Sequence, residues 1–470
     1  MNSVQPVRNL KNKRVTVMGL GRFGGGVGAV RFLAERGARV TVTDLATEQQ
    51  LEESLAQLDR LPLAALHLGG HQEPDFRDAD LVLVNPAVPS DNRFLKIAEQ
   101  NGVSLTSEMN LFWQLNRAKT VGVTGSNGKS TTAALLHAIL QSAGVRSWLG
   151  GNIGRSLLPL IDEIRPDDWC VLELSSFQLE DLDRIAASPQ VAVVTNFSPN
   201  HLDRHGTLAA YRHAKQTILR WQRADDVTVL NLDDPDVRNW PVGGRQYGFG
   251  RCEYGYGLFS NNGRLIARHE QGEYELPLEG WLKLPGAHNL QNAMAAAVAA
   301  IAIDVPASAI QRGLESFEPL PHRLQFVADV ASRKFYNDSL ATTPESATAA
   351  LNSFAEPVVL LAGGYDKQID LGGLANAISA GAKAVALMGQ TAAKLERLLV
   401  DRNSRNKTPQ VALHKCLTFD EAFRWAVERS SPGDLVLLSP GCASYDWFSN
   451  FAERGERFVE LVRGLLQGWD

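Results

Sequence analysis

One stretch limits what this chain can fold into more than any other: Val121-Gly122-Val123-Thr124-Gly125-Ser126-Asn127-Gly128-Lys129-Ser130-Thr131-Thr132. An apolar strand runs into a glycine loop, then Lys-Ser-Thr, then a helical pattern from Ala133. Glycines let backbone N–H groups curl around phosphate oxygens. Lys129 supplies a point charge to a transferred phosphoryl group, and the Ser130 hydroxyl suits Mg²⁺. The longer form of this loop needs a glycine at position 123, where the chain has valine, so the pattern is the shorter G-x-x-G-K-S-T. Residues Ser126 to Thr132 are the expected nucleotide cradle. The alternative is a strand–turn–helix with a chance Lys-Ser.

Another glycine turn, the first along the chain, lies upstream. Gly19-Leu20-Gly21-Arg22-Phe23-Gly24 follows a strand and opens a helical pattern, and Asp44 ends the next strand. The spacing matches a dinucleotide fingerprint, with a tight turn, close backbone approach to a diphosphate, and a carboxylate for a ribose hydroxyl. The physics specifies only a diphosphate at a helix N-terminus. A nicotinamide dinucleotide, a UDP-sugar and a packing turn that binds nothing all stay open.

Around these turns, short apolar runs alternate with helical patterns almost throughout, which predicts α/β architecture with mainly parallel sheets. Strands are expected at 14–19, 39–44 and 81–85, then at 121–124, 169–174, 191–196 and 227–231, then at 335–338, 358–362, 384–388 and 434–438. At 470 residues the chain is too long for one core. Polar Asn116–Lys119 and the stiff Glu318-Pro319-Leu320-Pro321 divide it into three expected domains, 1–117, 118–320 and 321–470.

Charge excludes some partners. With 47 Lys+Arg against 52 Asp+Glu the net charge is −5, so no electrostatic footprint for nucleic acid or an anionic membrane exists. The N-terminus lacks an apolar signal region, and the longest apolar run, Met294 to Ile303, is about half of a membrane span. Cys170, Cys252, Cys416 and Cys442 form no C-x-x-C pair and read as free thiols. A cytoplasmic monomer without membrane insertion is expected.

Polar residues where strands should be dry point to chemistry. Glu173 closes an apolar run that reads as a central strand, at the carboxyl edge where open α/β sheets bind ligands. The strand after it leads into Asn196, Asn200 and His201. Glutamate and histidine from neighbouring strand ends beside a phosphate loop suit Mg²⁺. Further on, Asn289 and Asn292 sit one turn apart where an alanine-rich helix opens, able to read a purine edge or to cap the helix. Arg323 follows the proline linker, where an arginine can reach a phosphate. In the expected helix Leu208–Trp221, Lys215 shares the inward stripe of Leu208, Tyr211 and Ile218, either snorkelling or functional.

Taken together, Thr124 to Thr131, Glu173-Leu174-Ser175-Ser176-Phe177-Gln178-Leu179-Glu180, His288-Asn289-Leu290-Gln291-Asn292, Pro321-His322-Arg323 and Asn337-Asp338-Ser339 resemble Mur ligases over nearly the whole chain. Leu438-Ser439-Pro440-Gly441-Cys442-Ala443-Ser444 and Phe448 to Gly455 are similar to the D-glutamate-adding members. The resemblance implies three domains: a Rossmann-like UDP-binding one, a central P-loop ATPase and a Rossmann-like amino-acid-binding one. It implies peptidoglycan precursor synthesis, in which ATP phosphorylates the carboxylate of UDP-N-acetylmuramoyl-L-alanine and the amine of D-glutamate displaces phosphate. Lys129 and Arg323 would hold phosphates. Ser130, Glu173, His201 and a carbamylated Lys215 would bind Mg²⁺, with two ions expected. Asn292 would meet adenine, and Asp338 ribose. Gly21, Asp44, Asn152 and Ser175 would meet the UDP-linked precursor, and Thr342, Lys367, Ser444 and Phe451 would surround D-glutamate. The chain departs from the pattern at Leu340, where the family often has lysine, and in the richer glycine turn Gly24-Gly25-Gly26 with Gly28.

Three rivals stand beside this reading. An oxidoreductase would use the Asp44 turn and leave Lys129, Glu173 and His201 idle. A P-loop switch or motor would leave the first turn and the Ser444 segment idle. A sister ligase adding another amino acid, or extending folate with glutamate, would use everything except the C-terminal match.

Overall fold

The alternating pattern folds into three sheets in the computed structural model, which describes residues 9–21, 25–153, 156–251, 255–261, 264–270, 272–405 and 411–468. Arg22, Phe23, Gly24 and Cys252 lie outside the described residues. The first sheet is wholly parallel, in the order Leu63–Leu68, Arg39–Asp44, Arg14–Met18, Leu81–Val84, Ser104–Thr106. The order reverses beside Arg14–Met18, which leaves a crevice at that strand's carboxyl end.

The second sheet centres on Lys119–Thr124, with Val191–Val194 on one side and Trp169–Glu173 then Ser147–Gly151 on the other. Beyond Val191–Val194 it continues in parallel through Val227–Asn231 and Arg245–Gly250 to Tyr256–Asn261. It ends in the antiparallel strands Arg264–His269 and Gly272–Glu275, which the sequence reading did not anticipate. The third sheet runs Gln325–Val330, Arg333–Asn337, Leu435–Leu438, Val358–Gly363, Ala382–Met388, Ala412–Lys415, parallel except for its first pair.

Strand periodicity explains how these sheets bury both faces. Along Val358–Gly363, Val358, Leu360 and Ala362 join one apolar cluster while Val359 and Leu361 join another. Successive side chains leave a strand on opposite sides, so a continuous apolar run fits only a sheet covered twice. Met294 to Ile303 is no exposed span, for it lies mostly within the buried helix Ala287–Ile301. Among the described residues no helix is long and apolar enough to cross a membrane.

By contact density the chain forms two units: Met1–Trp281 with Gln291–Ser316, and Leu282–Leu290 with Phe317–Asp470. The first and second sheets belong to one unit, where they share a core that includes Val15, Phe32, Leu172 and Leu230. The third sheet belongs to the other.

Candidate functional site

The loop after Lys119–Thr124 has a shape only glycine allows at two positions. At Gly125, φ is 147°, and a Cβ would stand 1.9 Å from Thr195 Oγ1. At Gly128, φ is 82°, and a Cβ would stand 2.1 Å from Asn292 Oδ1. The loop is tied to the neighbouring strand end. Thr195 Oγ1 donates to the Asn127 carbonyl at 2.6 Å, and the Asn127 N–H donates to Asn196 Oδ1 at 2.8 Å. Ser126 Oγ donates to the Ser198 carbonyl at 2.8 Å. Lys129 opens the helix Lys129–Ser142, and its ammonium reaches back to the carbonyls of Gly125 at 3.1 Å and Ser126 at 3.0 Å. Ser130 and Thr131 follow, the Thr131 hydroxyl buried without a hydrogen-bond partner. The Thr132 hydroxyl lies 3.5 Å from Asn292 Oδ1. This arrangement brings Asn292, distant in sequence, against the loop.

Beneath the loop sits Lys215. The helix Leu208–Arg220 starts at Thr207, whose hydroxyl accepts the Ala210 N–H at 3.1 Å, and this start sets its inward face. Lys215 is only 1% exposed, and its Nζ donates to the Gly125 carbonyl at 2.7 Å. Burial holds its pKa well below the ordinary lysine value. Lys129 lowers it further, and Glu173 partly opposes the shift. Glu173 ends its strand 3% exposed. Its Oε1 accepts from Asn152 Nδ2 at 3.0 Å, and its Oε2 is buried without a partner. An orphaned carboxylate oxygen next to a desolvated amine is a costly arrangement for stability alone. It suits a site that completes its coordination with a cation.

His201 has φ 51° and packs edge-on to Phe177 and Tyr211, with centroids 5.4 and 6.2 Å apart. It lines a cleft of about 550 Å³ together with Gly21, Asn85, Asn152, Ser175 and Arg204. Ser175 also caps the helix Ser176–Arg184 in a reciprocal box with Gln178, which engages its hydroxyl in local structure.

The first glycine turn differs from its sequence expectation in one respect. Asp44 Oδ2 accepts the N–H groups of Leu20 at 2.8 Å and Gly21 at 3.2 Å, and its Oδ1 accepts that of Ala46 at 2.8 Å. The carboxylate expected at a ribose holds the turn itself. Two of the extra glycines, Gly26 and Gly28, have packing reasons. A Cβ at Gly26 would stand 2.1 Å from the Leu20 carbonyl, and one at Gly28 would stand 2.8 Å from Ser156 Cβ.

On the third sheet, the Tyr365 N–H bonds the Ala443 carbonyl at 2.9 Å, which draws the Lys367 and Ser444 segments together. Lys367 is exposed, its Nζ 5.9 Å from the Tyr445 ring centre, and Ser444 is buried. Phe451 opens the last helix against His322, and Thr342 is half-buried. Asp338 is enclosed. Its oxygens accept from Leu324 N at 3.1 Å and Ser439 Oγ at 2.7 Å, and burial pushes its pKa up to about 6. Arg323 keeps Nε buried without a partner.

Two residues that the sequence reading passed over shape the cleft. Arg204 donates to the carbonyls of Pro86 at 3.0 Å, Val88 at 2.9 Å and Ala87, and lies over Phe177. Glu108 lines the cleft, accepts from Ser156, and is pushed up to about 7 by burial. Their partners lie too far along the chain for local pattern to reveal them.

Comparison with known proteins places this geometry in context. Three protein-family models match the chain: a Mur ligase MurD-like N-terminal domain over residues 13–107, a Mur ligase middle domain over 123–300, and a Mur ligase glutamate ligase domain over 322–442. A curated relative from Roseiflexus sp. (strain RS-1), named UDP-N-acetylmuramoylalanine–D-glutamate ligase, is 41% identical, covering 97% of this chain and 99% of its own. One of the same name from Acetivibrio thermocellus is 38% identical, covering 97% and 98%. Among solved structures, the UDP-N-acetylmuramate-alanine ligase MurC from Thermotoga maritima matches with a TM-score of 0.63 at 19% identity, over 97% of this chain and 100% of that one. MurF ligase from Thermotoga maritima, in complex with ADP, matches at 0.58 and 17% identity, over 99% and 97%. These two likenesses establish a shared fold.

Proposed function

The chain belongs to the Mur ligase family, and from that premise we propose that it joins D-glutamate to UDP-N-acetylmuramoyl-L-alanine at the expense of ATP. The observation that carries this reading is the convergence of the Lys129 loop, the buried Lys215 and the orphaned Glu173 oxygen at one end of the second sheet. A nicotinamide enzyme has no use for that cluster, and a simple P-loop switch has none for the Asn152 and His201 cleft beside it.

The γ-phosphoryl group passes from ATP to the precursor's terminal carboxylate, and ADP leaves. The amine of D-glutamate attacks the activated carbonyl, the tetrahedral adduct collapses, phosphate departs with the C–O bond, and the amine proton goes to solvent. Lys129 holds the transferring group. Asn292 takes the adenine edge, Arg323 a phosphate and Asp338 the ribose. Gly21, Asp44, Asn152 and Ser175 line the path of the UDP-linked precursor, with Asp44 acting through the turn it holds. Lys367 and Ser444 take the side-chain carboxylate of D-glutamate, with Thr342 and Phe451 around it.

The donor set fits Mg²⁺: the Ser130 hydroxyl, the partnerless Glu173 oxygen and His201. Mg²⁺ bound there would neutralise charge on the phosphate oxygens. Lys215 completes the set as a carbamate. Its depressed pKa favours the neutral amine, whose nitrogen adds CO₂ with loss of a proton, so that a cation becomes an anion.

Phosphate release tests the reading. It should require UDP-N-acetylmuramoyl-L-alanine and D-glutamate together. Hydrolysis of ATP without them would favour a switch. Binding of NADH with no phosphate release would favour an oxidoreductase, and release with another amino acid a sister ligase.

A further inference from the structure

A compact donor set lies on the edge strand of the third sheet, outside every residue assigned above. His414 and Cys416 stand two residues apart at the end of Ala412–Lys415, so they project to the same face. Glu421 is the third residue of the helix Phe419–Arg429, which follows directly. One ligating atom from each lies within 4.8 Å of the other two.

All three are already oriented. The His414 imidazole stacks on Trp425, centroids 5.6 Å apart and planes 19° apart, with Nε2 3.2 Å from Glu421 Oε1. Glu421 Oε2 accepts the Leu417 N–H at 2.7 Å. The Cys416 backbone N–H bonds the Leu387 carbonyl at 2.9 Å, and the thiol faces the His414 carbonyl at 3.7 Å. The imidazole and carboxylate are 45% and 34% exposed, whereas Cys416 is buried, so the thiol is the inner donor and the other two are open to solvent. A surface ion pair accounts for His414 and Glu421 but gives no reason for a thiol facing the same point.

We propose that His414, Cys416 and Glu421 form a site for one borderline-soft divalent transition metal of the Zn²⁺ class, with water in the fourth position. One nitrogen, one sulfur and one oxygen donor suit tetrahedral Zn²⁺ and disfavour Mg²⁺, which prefers oxygen donors and has little affinity for a thiolate. Bond lengths of roughly 2.0–2.3 Å put tetrahedral donors about 3.5 Å apart. Closing the remaining gap would need small rotations of His414 and Glu421 that loosen the Trp425 stacking and the Leu417 N–H bond. In the metal-free protein burial and Glu421 hold the Cys416 thiol protonated, pushed up to about 12. The S–H proton therefore leaves for solvent as the sulfur–metal bond forms, with no change of oxidation state. The bound ion would pin the edge strand to the first turn of the next helix and stiffen an element that otherwise offers open backbone groups.

Titration of the full chain with Co²⁺, in excess Mg²⁺ to fill oxygen sites, tests this. One equivalent should produce a thiolate-to-cobalt charge-transfer band, and Zn²⁺ should erase it by displacement. Cys416→Ser should abolish the band while leaving phosphate release unchanged. His414→Gln, at an exposed position that does not threaten folding, should weaken Co²⁺ binding at least about tenfold. Zn²⁺ should raise the Tm of the parent protein and not of Cys416→Ser. No band in the folded parent, a band that persists in Cys416→Ser, or equal affinity in His414→Gln would each overturn the assignment.

Discussion

The chain carries two glycine turns at the carboxyl ends of parallel strands, and they solve opposite problems. In the turn at Gly125 to Gly128, glycines let Thr195 and Asn292 crowd the backbone, and a lysine side chain arches across the loop. In the turn at Gly19 to Gly21, two N–H groups are met by the protein's own carboxylate, Asp44. One loop carries a cationic side chain across its own carbonyls, and the other has its N–H groups met by a carboxylate. A glycine fingerprint therefore specifies a backbone shape, and the polar residue that faces the shape decides what it does.

The contrast is broken most severely at Lys129. Lys129→Ala should lower kcat by about 10²–10³, because a preorganised donor to the transferring phosphoryl group is lost. Thermal stability should change little, since the lysine is half-buried and its ammonium bonds carbonyls of its own loop. A large drop in Tm with activity retained would make this turn structural, like the other.

Lys215 sharpens the same point from below the loop. Lys215→Met should lower kcat on the order of 10²-fold through loss of a charged group at the site, and it should stabilise the fold in CO₂-free buffer. The folded-state pKa lies below the unfolded one, so between the two values the unfolded chain binds the extra proton and stability rises with pH. The stabilising effect of the methionine should be largest on the acid side of that window and fade as pH climbs towards the ordinary lysine value. ¹³C NMR with labelled bicarbonate checks the carbamate. A plain ammonium at Lys215 in active enzyme would sink it.

The sequence made the second turn legible and the first only half so, for physical reasons. Glu173 and Lys215 stand out because charge interrupts an apolar run, and burial of charge needs a reason. The role of Asp44 was illegible, because spacing cannot say whether a carboxylate faces a ligand or its own backbone. Long-range partners were hidden for a similar reason, as Arg204 reaches Pro86 and Val88 across 118 and 116 residues of chain. Among the elements, apolar strands such as Val191–Val194 were plain, whereas Gly272–Glu275 is exposed along its length and Leu63–Leu68 alternates only partly, so neither left a strand signal. The family resemblance supplied roles for Thr342 and Phe451 that their neighbours alone would not suggest.

At the first turn the expected effect is on stability. Asp44→Asn keeps the shape, but its amide nitrogen cannot accept, so at least one of the three bonds from backbone N–H groups is lost and the rest lose their charge assistance; it should destabilise by about 1.5–3 kcal/mol in urea melts. The KM for ATP should stay unchanged, and that for the UDP-linked precursor should rise as the turn loosens. Unaltered stability with a large rise in that KM would mean that Asp44 serves the ligand directly.

The smallest effect is expected at Glu108, which buttresses the helix after the first turn. Ser156 packs where only Gly28 admits it and donates to Glu108, so the first turn's helix leans on a carboxyl group. Burial raises that carboxyl from the ordinary value near 4.5 to about 7. Between those values the folded protein holds a proton that the unfolded chain has lost, so its stability falls as pH rises through the window. Glu108→Gln imitates the protonated form and removes the penalty. It should be neutral at pH 4 to 5 and stabilising by about 1–2 kcal/mol at pH 8, below the full linkage value because the residue keeps some solvent contact. Urea melts at the two pH values decide it. If the variant is destabilised equally at both, Glu108 works as an ionised partner, and the first turn depends on charge at both of its supports.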